Sequence, residues 1–187
     1  GVSNVASVAN MVKKVGGNPS IIKKSNNLNQ KLINKIILPG VGSFDSAMVA
    51  LEKEGWLDPL NEFISNSQNK ILGICLGMQI MFNKSEEGQK EGLKWIDGDI
   101  EKFKFEDKKL KVPHMGWNTV SIKNNSSLFK ESIKTQRYYF VHSYYAQCFD
   151  STNIAAKTFY GFDFVSAIQK QNIYGFQFHP EKSHRYG

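Results

Sequence analysis

Cysteine is scarce: the chain has two, Cys75 and Cys148, among 187 residues. Two distant thiols supply neither a disulfide framework nor a zinc cluster. The four histidines show no ligand spacing either, so no metal and no organic cofactor is expected. Long apolar runs are missing, which excludes a membrane-spanning segment and a membrane partner. The stretch 1–19 is amphipathic, without the charged start and cleavage site of a secretory leader, so a cytoplasmic location is expected. Charge of one sign is not concentrated anywhere. The excess of 24 Lys+Arg over 17 Asp+Glu, +7 in all, is scattered as Lys-Lys pairs among asparagines. The nearest approach to a basic stripe, Glu101 to Lys111, alternates in sign, so no nucleic-acid partner is expected. A solvated surface, or a face for an acidic partner, accounts for the charge. Linkers, repeats and low-complexity tracts are absent too. A single domain over 1–187 with a sizeable core follows.

What is present alternates strand and helix in the first half. Val5, Val8, Ala9, Val12 and Val15 lie on one helical face, and Gly16-Gly17 ends it. The segment 20–24 reads as a short strand and 35–38 as a more apolar one. The latter runs into the Gly-rich turn Pro39-Gly40-Val41-Gly42-Ser43-Phe44, with helices expected over 45–54 and 59–66. An α/β domain normally opens with a strand, so a first strand is expected ahead of Gly1. The order predicts an α/β fold with a central, largely parallel sheet flanked by helices, whose ligands bind beyond the strands' carboxyl ends. After Gly92 the texture changes to aromatic, β-prone runs at 95–105, 110–120, 138–149, 154–159 and 164–178, which predict an added antiparallel or mixed sheet region.

The chain is organised around Lys70-Ile-Leu-Gly-Ile-Cys-Leu-Gly-Met-Gln-Ile-Met-Phe82. A buried strand over 71–74 meets a helical pattern over 76–82, with Cys75 at the junction between Gly73 and Gly77. A sharp strand-to-helix turn needs small residues on both sides, because a Cβ there would collide with the backbone. This is a nucleophile elbow with cysteine in the place of serine. Unpaired N–H groups at the helix start favour a thiolate at that position. A second half of a site lies at the far end of the chain, where the strand 173–178 runs into His179-Pro180-Glu181. A cysteine nucleophile needs a base, and the base needs a group to orient it. His179 and Glu181, held apart by a proline of fixed φ, supply both.

Three motifs in this order, Gly-Ile-Cys-Leu-Gly-Met-Gln (73–79), Pro-Gly-Val-Gly-Ser-Phe (39–44) and His-Pro-Glu (179–181), resemble the triad-type, class I glutamine amidotransferases. Pro113-His114-Met115-Gly116-Trp117-Asn118, Tyr139-Phe140-Val141-His142-Ser143-Tyr144 and Lys182-Ser183 narrow the resemblance to the glutaminase subunits of imidazole glycerol phosphate synthases. Gly1, Asn4 and Ser7 fit that family's opening pattern, and Gly187 a position usually followed by one more short helix. The resemblance covers nearly the whole chain. It implies a flavodoxin-like glutaminase fold and hydrolysis of L-glutamine to glutamate and ammonia by Cys75, His179 and Glu181. It implies an oxyanion hole from the backbone around Val41 and Gly42 together with Leu76. Gly40, Gln79, His142, Ser143 and Tyr144 would bind the substrate, and His114, Trp117 and Lys182 would face a partner. That partner is expected to be a synthase (cyclase) subunit of (β/α)₈-barrel type in histidine synthesis. Cys148 is expected in the core, and no role is apparent for His184.

Three alternatives stand beside this expectation. A paralogous glutaminase would feed a sugar amidotransferase of surface-polysaccharide synthesis, with the same active site and another docking face. A cysteine hydrolase such as a γ-glutamyl peptidase would share the nucleophile, but the matches at 113–118 and 182–183 argue against it. A non-catalytic regulatory subunit would keep the fold, and the intact triad positions argue against that.

Overall fold

A computed structural model describes residues 5–28, 33–123, 128–129 and 135–187. Gly1 and Asn4 lie outside the described residues. The chain builds helices α1 (Val5–Lys14), α2 (Phe44–Lys53), α3 (Leu57–Ser65) and the one-turn α4 (Leu76–Gln79). The strands are β1 (Lys35–Gly40), β2 (Lys70–Cys75), β3 (Gly98–Lys102), β4 (His114–Ile122), β5 (Thr135–His142), β6 (Tyr144–Cys148), β7 (Ile154–Tyr160), β8 (Phe162–Lys170) and β9 (Ile173–Phe176).

Among the described residues, all nine strands join one mixed sheet in the order β1-β2-β9-β8-β7-β4-β5, with β6 attached to β8 and β3 to β6. The parallel part is β1-β2-β9, and the other pairs are antiparallel. The antiparallel region is therefore a continuation of the parallel sheet rather than a second layer beside it. β1 and β2 run parallel because the crossover through α2 and α3 is long enough to return the chain to the same edge. β9 enters as the second arm of a hairpin with β8 and lies along β2, with Ile74 opposite Phe176.

Both faces of the parallel strands are covered, so their sequences read as apolar runs instead of alternating. Ile36, Leu38 and Ile71 pack into the cluster holding Phe44, Met48, Leu60 and Phe63 of α2 and α3. Ile37, Leu72 and Ile74 meet Val8 and Val12 of α1 on the other face. A second, aromatic cluster of Phe103, Phe140, Phe164 and Phe178 fills the antiparallel half.

Three expectations need correction. Residues 20–24 form no strand: only Ile21 and Ile22 there are apolar, Ile21 is largely exposed, and the segment makes no ladder with β1. The helix expected over 76–82 stops at Gln79. The carbonyls of Ile80, Met81, Phe82 and Asn83 accept instead from the N–H groups of Leu93, Trp95, Lys94 and Gly92, so a returning loop replaces the next helical turns. The long β-prone runs are also interrupted, 138–149 at Ser143 and 164–178 at the tight turn Gln171-Asn172, and 95–105 keeps only Gly98–Lys102 as strand.

Candidate active site

The ladder between β1 and β2 runs up to the pair Gly40 and Cys75, so both Gly-rich turns leave the sheet side by side at its carboxyl edge. Cys75 adopts φ 54° and ψ −112°, a conformation rare outside glycine. Such strain costs about 1–3 kcal/mol and persists only where the surroundings enforce it. Here three glycines do. A Cβ on Gly77 would stand 1.7 Å from the Leu38 carbonyl oxygen, one on Gly73 2.5 Å from Gly77 O, and one on Gly40 2.8 Å from Gly77 N. The elbow and the 39–42 turn are thus in backbone contact. Gly42 has φ 105° with open space around it, and Val41 is partly exposed. Neither the Val41 nor the Gly42 N–H has an acceptor among the described residues.

β9 delivers the second half. His179 is buried, its Nδ1 2.8 Å from Glu181 Oε1. A carboxylate accepts only, so Nδ1 carries the proton and Nε2 points away from Glu181. Nε2 and Glu181 Oε2 are buried without hydrogen-bond partners among the described residues. Burial is the largest single influence on His179 and pulls its pKa down; the neighbouring Cys75 sulfur and the Glu181 carboxylate outweigh it and raise the pKa to about 9. The turn Pro180–Lys182 is pinned to β5 by the fully buried Ser183. Its hydroxyl donates to His179 O at 2.6 Å and accepts from Tyr139 N at 3.0 Å, and His179 N donates to Tyr139 O at 2.9 Å.

The expected substrate-binding residues divide. Gln79 is buried beneath the elbow, and its Nε2 donates to Tyr144 O (3.1 Å) and Gln177 Oε1 (3.0 Å), leaving its carbonyl oxygen as the group to offer. Ser143 and Tyr144 are half-buried beside it. Burial, then the carboxylates of Glu87 and Glu86, raise the Tyr144 phenol above its ordinary value, so it remains a donor at neutral pH. His142 keeps its ring turned inward. Its Nδ1 is 2.7 Å from Tyr144 O and its Nε2 3.1 Å from His114 Nδ1, so both ring nitrogens are spent inside the protein. Burial pushes its pKa down to about 3.

His114 lies next to it. It opens β4 as a buried ring stacked on Tyr160 and 3.2 Å from Asn118 Nδ2, and burial pushes its pKa down to about 4. The aromatic cluster provides a better berth than solvent for this ring, so it is no surface contact. Trp117 and Lys182 are exposed. Trp117 stacks on His184, which thereby gains a place, and with Arg137, Arg185 and Tyr186 they line a cleft of about 440 Å³. Cys148 is half-buried, its Sγ 3.2 Å from Asp150 O.

Sequence reasoning missed three residues. Gln177, fully buried, donates from Nε2 to Cys75 Sγ at 3.7 Å. Ser183 clamps the Pro180–Lys182 turn. Glu87 accepts from Phe44 N at 2.7 Å and so ties the loop after α4 to the end of the 39–44 turn. Gln177 carried a usable signal: it is in phase with Gly175 and His179, a polar side chain on the inward face of an apolar run.

The whole chain, residues 1–187, matches the family model described as glutamine amidotransferase class-I, and the protein belongs to that family. Among curated relatives, it is 48% identical to "Imidazole glycerol phosphate synthase subunit HisH 2" of Methanococcus maripaludis, covering 100% of this chain and 91% of the relative. It is 46% identical to the subunit HisH of Leptospira borgpetersenii, covering 100% and 92%. The fold matches "Crystal structure of glutamine amidotransferase" with a TM-score of 0.73 at 14% identity, over 95% of this chain and 86% of that one.

Proposed function

We propose that the protein is the glutaminase subunit of an imidazole glycerol phosphate synthase, hydrolysing L-glutamine and passing ammonia to a synthase subunit. The observation that carries the chemistry is the buried Glu181–His179 pair beside a cysteine held on a strained elbow. His179 Nε2 takes the Cys75 thiol proton as the sulfur attacks the side-chain amide carbon of glutamine, and the carbonyl π pair moves to oxygen. The backbone N–H groups of Val41 or Gly42 and of Leu76 receive that oxyanion; losing one such donor costs about 10²–10³ in rate. Collapse breaks the C–N bond, and His179 Nε2 gives its proton to the departing amine, releasing ammonia. Acylation ties up the sulfur, one of the two influences that hold the proton on His179, so burial then assists the transfer. Water, deprotonated by the same nitrogen, attacks the thioester; collapse breaks the C–S bond, and the proton passes from His179 to the departing sulfur, releasing glutamate and restoring the thiol.

For the substrate's amino-acid end, the free Gln79 oxygen is an acceptor suited to the α-ammonium group, and the Ser143 and Tyr144 hydroxyls are donors suited to the α-carboxylate. Gly40 lets the turn approach closely. His142 acts from behind, through Tyr144 O. Ammonia released into water would be protonated and lost, so a synthase must dock beside the site. The exposed Trp117 and Lys182 are the docking residues proposed, a synthase subunit is the partner that the names of the relatives support, and its (β/α)₈-barrel type rests on the resemblance of the sequence alone.

The experiment combines the protein with the cyclase subunit of the same organism and measures ammonia release from glutamine. Wild type should release ammonia, faster with the cyclase, and Cys75→Ala should abolish release while still binding the cyclase. Undiminished release by Cys75→Ala would remove the nucleophile. Absence of binding would remove the partner but leave the chemistry standing.

A further inference from the structure

Gln177 is the least explained polar group near the elbow. Its amide is fully buried in a position where an apolar side chain of similar volume would avoid the desolvation of two polar ends. Its orientation can be derived from its neighbours. Tyr144 O is a carbonyl and accepts only. The nitrogen of Gln79, and not its oxygen, must therefore face Tyr144 at 3.1 Å. That same nitrogen meets Gln177 at 3.0 Å, so the Gln177 oxygen must be the atom there. The amide plane then leaves Nε2 directed at Cys75 Sγ, 3.7 Å away.

The other side of Tyr144 O is fixed in the same way. His142 Nδ1 donates to it, His142 Nε2 accepts from His114 Nδ1, and His114 Nε2 accepts from Asn118. Every member of the chain has one allowed direction, with both imidazoles neutral. The carbonyl of Tyr144 is thereby locked between two donors and cannot rotate away from Gln79.

We propose that Gln177 is a positioning residue for glutamine hydrolysis: a backbone carbonyl, acting through two amides in series, forces an N–H donor rather than a carbonyl oxygen onto the Cys75 sulfur. The donor holds the sulfur in its attacking orientation and stabilises negative charge on it. Titratable groups from other elements also face this region: His179 and Glu181 after β9, and His142 at the end of β5. The Gln177 donor, like the neutral His142 ring, carries no charge, and it is the one of these groups that donates to the sulfur. This inference rests on the assignment of Cys75 as nucleophile, which the Cys75→Ala experiment tests separately.

Gln177→Glu puts an acceptor where the donor was at nearly the same volume, and Gln177→Met removes the polarity altogether. Both are predicted to lower kcat for glutamine about tenfold to a hundredfold, the scale of a hydrogen bond to a charged group. KM should stay within about twofold, and alkylation of Cys75 by iodoacetamide should slow by a comparable factor. Wild-type kcat and alkylation in both variants, or a loss confined to KM, would overturn the proposal. If neither variant folds, side-chain amide NMR on folded Cys75→Ala decides: a shifted Gln177 Nε2 proton resonance relative to wild type supports the donor role, and an unmoved one overturns it.

Discussion

At the scale of the residue, His179 sits between two opposed forces, burial that rejects its charge and the neighbouring Cys75 and Glu181 side chains that favour it. Glu181 contributes one of the two and also fixes which nitrogen faces the sulfur. Glu181→Gln keeps the shape and removes the charge. It is predicted to bring the His179 pKa down from about 9, readable from the pH dependence of its imidazole resonances. Turnover should fall by at least about tenfold, while some reaction of Cys75 with a glutamine-analogue alkylator survives, since the carboxylate acts only through the ring. An unmoved titration with unchanged turnover would take Glu181 out of the mechanism. The buried Ser183 hydroxyl works one step further back: by bonding both His179 O and Tyr139 N it holds the whole Pro180–Lys182 turn against β5.

At the scale of the element, the elbow is a packing problem solved by glycines. Gly77 has the least latitude, since a methyl there would fall 1.7 Å from a β1 carbonyl. Gly77→Ala must force β1 and β2 apart and is predicted to abolish folding or to lower Tm drastically, measurable by calorimetry. Gly42 offers a contrast, because its surroundings are open and only its φ of 105° disfavours a side chain. Gly42→Ala should cost about 1–2 kcal/mol of stability yet leave the protein folded, with its effect read mainly in turnover if this turn serves the oxyanion. Equal damage from the two substitutions would contradict the distinction.

The same element shows why some features were legible in the sequence and others were not. Cys75 between Gly73 and Gly77 is a local steric requirement, and the apolar runs of β1 and β2 reflect burial on both faces, so each can be read from neighbouring residues. The length of α4 cannot, because it depends on Leu93, Lys94 and Trp95 capturing carbonyls that a longer helix would have used. Residues 20–24 had strand-like composition but no ladder, and a strand is defined by its neighbour. The resemblance implies a partner contact for His114 and substrate binding for His142; the place of both rings among aromatic side chains depends on β4, β5 and β8 meeting, which no local pattern encodes.

At the scale of the molecule, the three buried histidines set a pH window for stability. His179 binds its proton more tightly in the fold than its ordinary 6.5, up to about 9, so its contribution is complete below 6.5 and fades as pH rises toward 9. His114 and His142 are held neutral down to about 4 and about 3. The unfolded chain takes up protons there first, so stability also falls as pH drops below 6.5. Thermal unfolding across pH should place the maximum of Tm near 6.5, and Glu181→Gln should flatten the alkaline side alone. A Tm still rising between pH 7 and 9 would contradict this balance.

The proposed docking cleft also lies on other elements than the elbow. The nucleophile, base and both Gly-rich turns gather at the carboxyl edge of the parallel strands, where β1, β2 and β9 end together. Trp117, His184 and the two arginines form an exposed aromatic and basic cleft on the antiparallel part and the end of the chain. Reversing charge in that cleft, for example Arg137→Glu, is predicted to weaken binding to the cyclase at least about tenfold and leave the basal hydrolysis of glutamine unchanged, measured by titration calorimetry and an ammonia assay. Loss of basal activity with intact binding would reverse the division of labour.

The most direct test of the central claim is to trap the covalent intermediate. The protein is mixed with isotopically labelled glutamine, quenched in acid within the first turnover, digested and analysed by mass spectrometry. A labelled glutamyl group on the peptide carrying Cys75, absent from Cys75→Ala and accumulating in a variant slow in deacylation, is the predicted result. Steady ammonia release with no label on Cys75, or with label on Cys148 instead, would contradict the account.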